Sequence, residues 1–220
     1  TIAQIRAYKP QSSSLGCGQV LHCPYTADKA RIVVQEMIDG ISLELVEKRL
    51  VTDQLVLTVG YDIENLTRPE IRKVYKGPVT TDRYGRRVPK HAHGTWNLPR
   101  ATSSSSELLE AMAALYDKIV NPALLIRRMS LSACHVVNEK MAKEREQKET
   151  FEQLDLFTDY AKKEAKEKEE QKKRERERRM QEALLTIKKK YGKNAVLRGM
   201  NFEEGATAKE RNGQIGGHQA

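Results

Sequence analysis

The 220 residues carry a formal charge of +9, from 39 Lys and Arg against 30 Asp and Glu, and only 39% are hydrophobic and 5% aromatic. That is enough apolar material for one core of roughly 100 to 150 residues, so part of the chain must be solvated. No stretch approaches the roughly 18 to 20 consecutive apolar residues of a membrane span, and the N-terminus lacks a basic segment followed by an apolar one, which argues against both a membrane protein and secretion. Cys17, Cys23 and Cys134 are odd in number and form no Cys-x-x-Cys pair. They fit reduced thiols in a cytoplasmic protein better than a disulfide or a zinc site. The opening Thr1-Ile2-Ala3-Gln4-Ile5 begins without Met and reads like the middle of a helix, so a fragment of a longer protein is expected.

Cys17 to Cys23, bounded by Gly16 and Pro24, suits a first strand. Thr26 is placed to cap a helix running to about Arg49, because Ala30, Val33, Val34, Met37, Ile38, Ile41 and Leu45 recur at spacings of three and four. Leu55, Leu57, Val59 and Tyr61 alternate with Gln54, Val56, Thr58 and Gly60, as in a strand with one buried face. A third strand is expected over about His91 to Ala101, around Trp96 and Leu98. Ser104 and Glu107 form a capping box ahead of Leu108, Leu109, Met112, Ala113, Leu115, Tyr116 and Ile119, a second amphipathic helix ending near Asn121-Pro122. Met129, Leu131, Ala133 and Val137 then mark a fourth strand. The expected fold is α+β: a βαββαβ four-stranded sheet with two helices on one face, followed by a long charged helical tail.

Such a sheet keeps one face open, carrying Gln54, Thr58, Arg128, Ser130 and Ser132, joined by Thr95 and Asn97 if Trp96 points inward. An open polar face is compatible with simple solvation. The connection over residues 68–90 argues for more: Arg68, Arg72, Lys73, Lys76, Arg83, Arg86, Arg87 and Lys90 stand against Glu70 and Asp82, a net of +6. Long loops are more often functional than decorative, and phosphates suit this density of cations. Single-stranded RNA is a competing ligand of this strand and helix order, but the first strand has no aromatic and all three Phe lie beyond residue 150. Duplex binding through the backbone is therefore preferred to base stacking. His91 and His93 could share a strand face, yet no carboxylate or Cys stands beside them to complete a metal site. No nucleophile motif, phosphate-cradling Gly loop or acidic metal cluster is visible, so no catalytic residue is assigned.

Composition changes near Asn138, which separates a globular part of net +5 from a charged tail of net +4. Within that tail, Phe151-Glu152-Gln153-Leu154-Asp155-Leu156-Phe157 is an apolar island. Leu156 and Phe157 would be buried anchors in a partner's pocket, Leu154 a smaller one, and Gln153 a register-fixing amide; a plain helix stripe is the other reading. From Ala161 to Lys190 helix formers dominate, with Glu164 and Lys168, Glu169 and Lys173, Glu170 and Arg174, and Glu175 and Arg179 paired at i,i+4. A solvated helix of about 45 Å is expected. Its end carries Met180, Leu184, Ile187 and Tyr191, a stripe that wants a docking site, closed by Gly192. Residues 194–220 have no reading from pattern.

Taken together, the chain resembles the C-terminal part of bacterial Y-family translesion DNA polymerases of the UmuC type. Tyr8-Lys9-Pro10-Gln11-Ser12-Ser13-Ser14-Leu15-Gly16 is similar to the stretch that links thumb to little finger, His91-Ala92-His93-Gly94-Thr95 to the start of the third little-finger strand, and Gln153 to Phe157 to the pentapeptide that docks on the sliding clamp. Gly205 to Ala220 is similar to the tail of one branch. The resemblance implies the end of the thumb over 1–10, a DNA-binding little finger over 11–138, a linker with the clamp motif over 139–160, a charged helix over 161–192 and a tail over 193–220. It implies partners in primer-template or damaged DNA and in the sliding clamp, and a role in DNA repair and the SOS response. With the reading above, it places DNA contacts at Lys9, Ser13, Ser14, Gly16, Arg72, Lys73, Arg83, Arg86, Arg87, Lys90, Thr95, Asn97, Arg128, Ser130 and Ser132, and clamp contacts at Gln153, Leu154, Asp155, Leu156 and Phe157. The family's palm carboxylates, which hold Mg for nucleotidyl transfer, have no counterpart here, so polymerase activity would belong to a full-length parent. A non-enzymatic adaptor with a protein-recruiting helical tail and an RNA-binding module are the competing readings.

Overall fold

A computed structural model describes residues 1–2, 13–149, 160–215 and 218–219. Strand β1 (Leu15–Tyr25) leads into helix α1 (Ala27–Lys48) and strand β2 (Leu50–Tyr61). Two short helices follow, α2 (Glu64–Thr67) and α3 (Pro69–Val74), then a hairpin of β3 (Val79–Thr81) and β4 (Arg87–Pro89). Strand β5 (Ala92–Thr102), helix α4 (Ser105–Ile119), and strands β6 (Ile126–Cys134) and β7 (Val137–Asn138) complete the sheet domain. Beyond it lie α5 (Glu139–Glu149), the 32-residue helix α6 (Tyr160–Tyr191), a 3-10 turn at Gly199–Phe202, α7 (Ala208–Arg211) and a short ladder of β8 (Gln214–Ile215) with β9 (His218–Gln219). Among the described residues no helix is long and apolar enough to cross a membrane.

The main sheet is antiparallel, in the order β1-β6-β2-β5, with β7 paired to the start of β2. This corrects the four-stranded βαββαβ expectation. The sheet has five strands, and the second connection folds into two helices and a hairpin of its own. The fifth strand exists because β6 breaks at His135, whose φ of 52° lies in the left-handed region, and then resumes beside Val51.

Helices α1 and α4 lie against one face. Ala30, Val33, Val34, Met37, Ile38, Ile41 and Leu45 of α1 and Leu108, Met112, Leu115 and Tyr116 of α4 are buried against Leu55, Leu57, Val59, Met129, Leu131 and Ala133. Each fully buried aliphatic here contributes about 1.5 to 3 kcal/mol. Alternation along each strand then forces the intervening residues to the other face. Gly94 lies on the core side, where an added Cβ would come within 2.8 Å of Ile119 and 2.9 Å of Leu115, so helix α4 packs directly on β5. At the start of α4, Ser104 accepts from the Glu107 N–H, but the reciprocal half of the expected capping box is missing. Glu107 pairs with Arg100 instead, and Glu177 of α6 covers the helix start by accepting from Ser104 Oγ, Ser106 N and Ser106 Oγ at 2.7 to 2.9 Å.

The tail is therefore not the free solvated helix of the sequence reading. Gln181 of α6 is buried and donates to Ser103 O and Ser105 Oγ. Residues 198–211 then return to the outer side of α1. There the buried Glu36 carboxylate accepts from Asn201 Nδ2, Thr207 N, Thr207 Oγ1 and Ala208 N, and Arg198 reaches Asp39 at 2.8 Å. Thr207 and Arg211 also bond to Gln19 of β1.

Candidate nucleic-acid interface

The registers align the open face into rows. Gly16, Ser132, Val56 and Thr95 form one; Gly18, Ser130, Thr58 and His93 form the next; Val20, Arg128 and Gly60 form a third; Cys134, Gln54 and Asn97 lie at the other end. Small and polar side chains make this a shallow surface. Two cross-strand hydrogen bonds tie its β2–β5 side, from Gln54 Nε2 to Asn97 Oδ1 at 2.9 Å and between Thr58 Oγ1 and His93 Nδ1 at 2.9 Å. Trp96 points toward the core, which leaves Thr95 and Asn97 exposed on the open face.

Arg128 is the cation of this surface. It is exposed, and its side chain lies flat across Gly60, where an added Cβ would meet Arg128 Cγ and Nε at 2.6 Å. Arg128 makes no ion pair among the described residues, whereas its neighbour Arg127 faces Asp62 at 3.7 Å. The two glycines of β1, Gly16 and Gly18, keep the other flank low. At Gly16 a Cβ would come within 2.9 Å of Ser132 Oγ. Ser13 and Ser14 are exposed just before β1, and the Ser13 carbonyl accepts from Val136 N at 3.0 Å. Lys9 lies outside the described residues, as does the whole motif Gln153, Leu154, Asp155, Leu156 and Phe157.

The basic connection is built rather than loose. Buried Asn65 donates to Asp62 O and Leu125 O and accepts from Leu125 N at 2.7 Å, which staples the turn after β2 to the segment entering β6. This roots the connection at the Arg128 end of the sheet. Tyr75 folds over Gly77 and donates to Pro78 O at 2.8 Å, fixing the step from α3 into the hairpin. At the hairpin turn Asp82 accepts from the N–H groups of Tyr84 and Arg86 and from Arg86 Nε, each at 2.9 Å. The Arg86 backbone bond, with the Arg86 side chain, holds the Asp82 carboxyl below the usual carboxylate range.

Not every cation of this connection is available. Arg68 is paired to Glu64 and Arg86 to Asp82. Arg72, Lys73, Lys76, Arg87 and Lys90 are exposed and have no acidic partner among the described residues, and Arg83 donates to Tyr84 Oη. Around α1 several cations are paired instead: Arg31 meets Asp117, Arg49 meets Glu182, Lys189 meets Glu47 and Arg198 meets Asp39, and Arg178 of α6 meets Glu139. Exposed cations without an acidic partner thus occur at the open face and along the basic connection, and also on α6, where Lys172, Lys173, Arg176 and Arg179 make no ion pair among the described residues. Such an arrangement can hold a polyanion across several phosphates without reading base identity.

His93 is taken up by Thr58, and no group of three metal-ligating side chains occurs among the described residues. Gly18, Val56 and Gly60 also line the open face; they carry no polar side chain and so gave no contact signal in the sequence. Strand β1 begins at Leu15, two residues before the apolar run from Cys17 to Cys23 that marks it in the sequence, and so takes in Gly16.

No family model matches the chain, and no curated protein matches it. Among solved structures it is similar to one described as a complex of beta-clamp processivity factor and little finger domain of PolIV, with a TM-score of 0.36 and 9% identity, covering 66% of this chain and 100% of that chain.

Proposed function

We propose that this chain is the DNA- and clamp-binding C-terminal region of a Y-family translesion polymerase of the UmuC type, gripping primer-template duplex through its phosphates. The observation that carries this reading is the pairing of an open, low-relief sheet face, crossed by the unpaired Arg128, with a basic connection rooted beside it. Around α1, by contrast, Arg31, Arg49, Lys189 and Arg198 are paired with carboxylates. Phosphate contacts ignore base identity, the property needed next to a damaged base. The resemblance of residues 8–16, 91–95 and 153–157 to the family's motifs supports the same assignment. The little finger comprises residues 11–138, and Gln153 to Phe157 dock on the sliding clamp. Metal-dependent nucleotidyl transfer belongs to the parent enzyme, with no catalytic residue in this chain.

Fluorescence anisotropy with primer-template DNA tests the DNA half. Engagement of six or more phosphates predicts an affinity loss on the order of a thousandfold between 50 and 200 mM salt. Arg128→Ala is expected to weaken binding uniformly across sequences and to lower the salt slope by about one. Salt-independent binding would sink the reading. For the clamp half, replacing Leu156 and Phe157 by Ala is expected to abolish binding to a sliding clamp; unchanged affinity refutes it. A second reading, a protein-recruiting adaptor, draws on Met180, Ile187 and Tyr191, which α6 leaves exposed. Equal retention on DNA and on a neutral control surface favours that alternative.

A further inference from the structure

The open face offers no Phe, Tyr or Trp ring for a base to stack on, and the His93 imidazole on it is tied to Thr58 at 2.9 Å. Tyr25 and Tyr61 are buried, Trp96 points toward the core, and β6 has none. The exposed ring of this region stands instead at the hairpin turn between β3 and β4, where Tyr84 is 65% exposed. The turn around it is rigid by construction. Asp82 holds the N–H groups of Tyr84 and Arg86, the Asp82 N–H donates to Arg86 O, and Gly85 takes a φ of 78° that a larger residue would resist. The guanidinium of Arg83 lies 4.8 Å from the Tyr84 ring centroid and that of Arg86 lies 5.1 Å from it. Tyr84 is not among the residues packed on the hydrophobic core.

We propose that this Arg-Tyr-Arg turn is a stacking site for an unpaired nucleobase, in single-stranded DNA adjoining the duplex held by the sheet. The inference rests on the duplex-binding reading and adds to it a second, chemically different contact. Aromatic rings and guanidinium planes stack on any base, so the site tolerates sequence and damage as the phosphate grip does. Asp82 keeps Arg86 beside the ring, while Arg83, which donates to Tyr84 Oη and has no acidic partner among the described residues, can turn toward the phosphate of the stacked nucleotide. Arg87, which has no acidic partner among the described residues, stands in the strand just behind the turn.

The experiment compares the full chain on a blunt duplex and on the same duplex with a single-stranded overhang carrying 2-aminopurine. The overhang is expected to tighten binding about tenfold and to change the fluorescence of the 2-aminopurine through stacking. Tyr84→Ala should remove both effects and leave blunt-duplex affinity unchanged; Tyr84→Phe should keep both. Equal affinity for the two DNAs, or an overhang preference that survives Tyr84→Ala, overturns the inference. Loss of blunt-duplex binding with a retained, Tyr84-dependent hold on the overhang would instead overturn only the duplex reading. Because Tyr84 makes no core contact, its replacement does not test folding by accident.

Discussion

Gly60 and Arg128 show how a single missing side chain shapes this surface. Any Cβ at position 60 occupies the space of the Arg128 side chain, so Gly60→Val should lift the guanidinium off the sheet. DNA affinity is then expected to fall as far as in Arg128→Ala, with a loss of no more than about 1 to 3 kcal/mol of stability from the local strain. The thiols differ for an equally local reason. Burial pushes the Cys17 thiol up to about 11, whereas Cys23 is exposed. At pH 8 a thiol reagent should label Cys23 before Cys17, an order that mass spectrometry reads directly.

Asp39 makes the corresponding point for charge. Its carboxyl is raised above the ordinary range because desolvation outweighs the attraction of Arg198 and Lys188, with Glu36 adding to the rise. The folded chain therefore binds this proton more tightly than the unfolded one. Its contribution to stability is full below about pH 4 and is lost as pH rises through the raised value. Asp39→Asn should flatten that decline and leave the Tm at pH 7 equal to or above the parent's. A lower Tm at pH 7 shows that the Arg198 pair outweighs the desolvation.

Helices α1 and α4 and the alternating strands were legible because each has a single buried face and a clear period. Ser104 announced the start of α4 correctly. What it could not announce was Glu177, 73 residues away, taking the place of the second half of the capping box. The interior of the basic connection was equally silent. Its composition reads as a cationic loop, yet Asn65, Tyr75 and Asp82 organise it through backbone bonds that carry no hydrophobic period. Arg68 and Arg86 look like DNA ligands by charge alone, although neighbouring carboxylates at i,i+4 already hold them.

The docked tail was hidden from pattern reading by its polarity. The inner side of α6 includes Glu177, Arg178 and Gln181, while of the apolar stripe Leu184 is half-buried and Met180, Ile187 and Tyr191 are exposed. Residues 198–211 are fastened to α1 in the same polar manner. Glu36→Ala leaves two N–H groups of α7's first turn without an acceptor and is expected to destabilise the fold by about 3 kcal/mol. Truncation after Gly192 removes the same contacts and should lower the Tm by roughly 5 to 10 °C. An unchanged Tm after either change means the tail is only resting on the domain.

The tail is fastened to the helical side by polar contacts, which leaves the sheet's other face open. NMR amide shifts of the full chain titrated with primer-template duplex test that division most directly. The perturbed residues should be Gly16, Gly18, Thr58, Thr95, Arg128, Ser130 and Ser132 together with the 72–90 segment, while α1, α4 and α6 stay unmoved. Shifts gathered on α1 and α6, with the open face silent, would contradict the account.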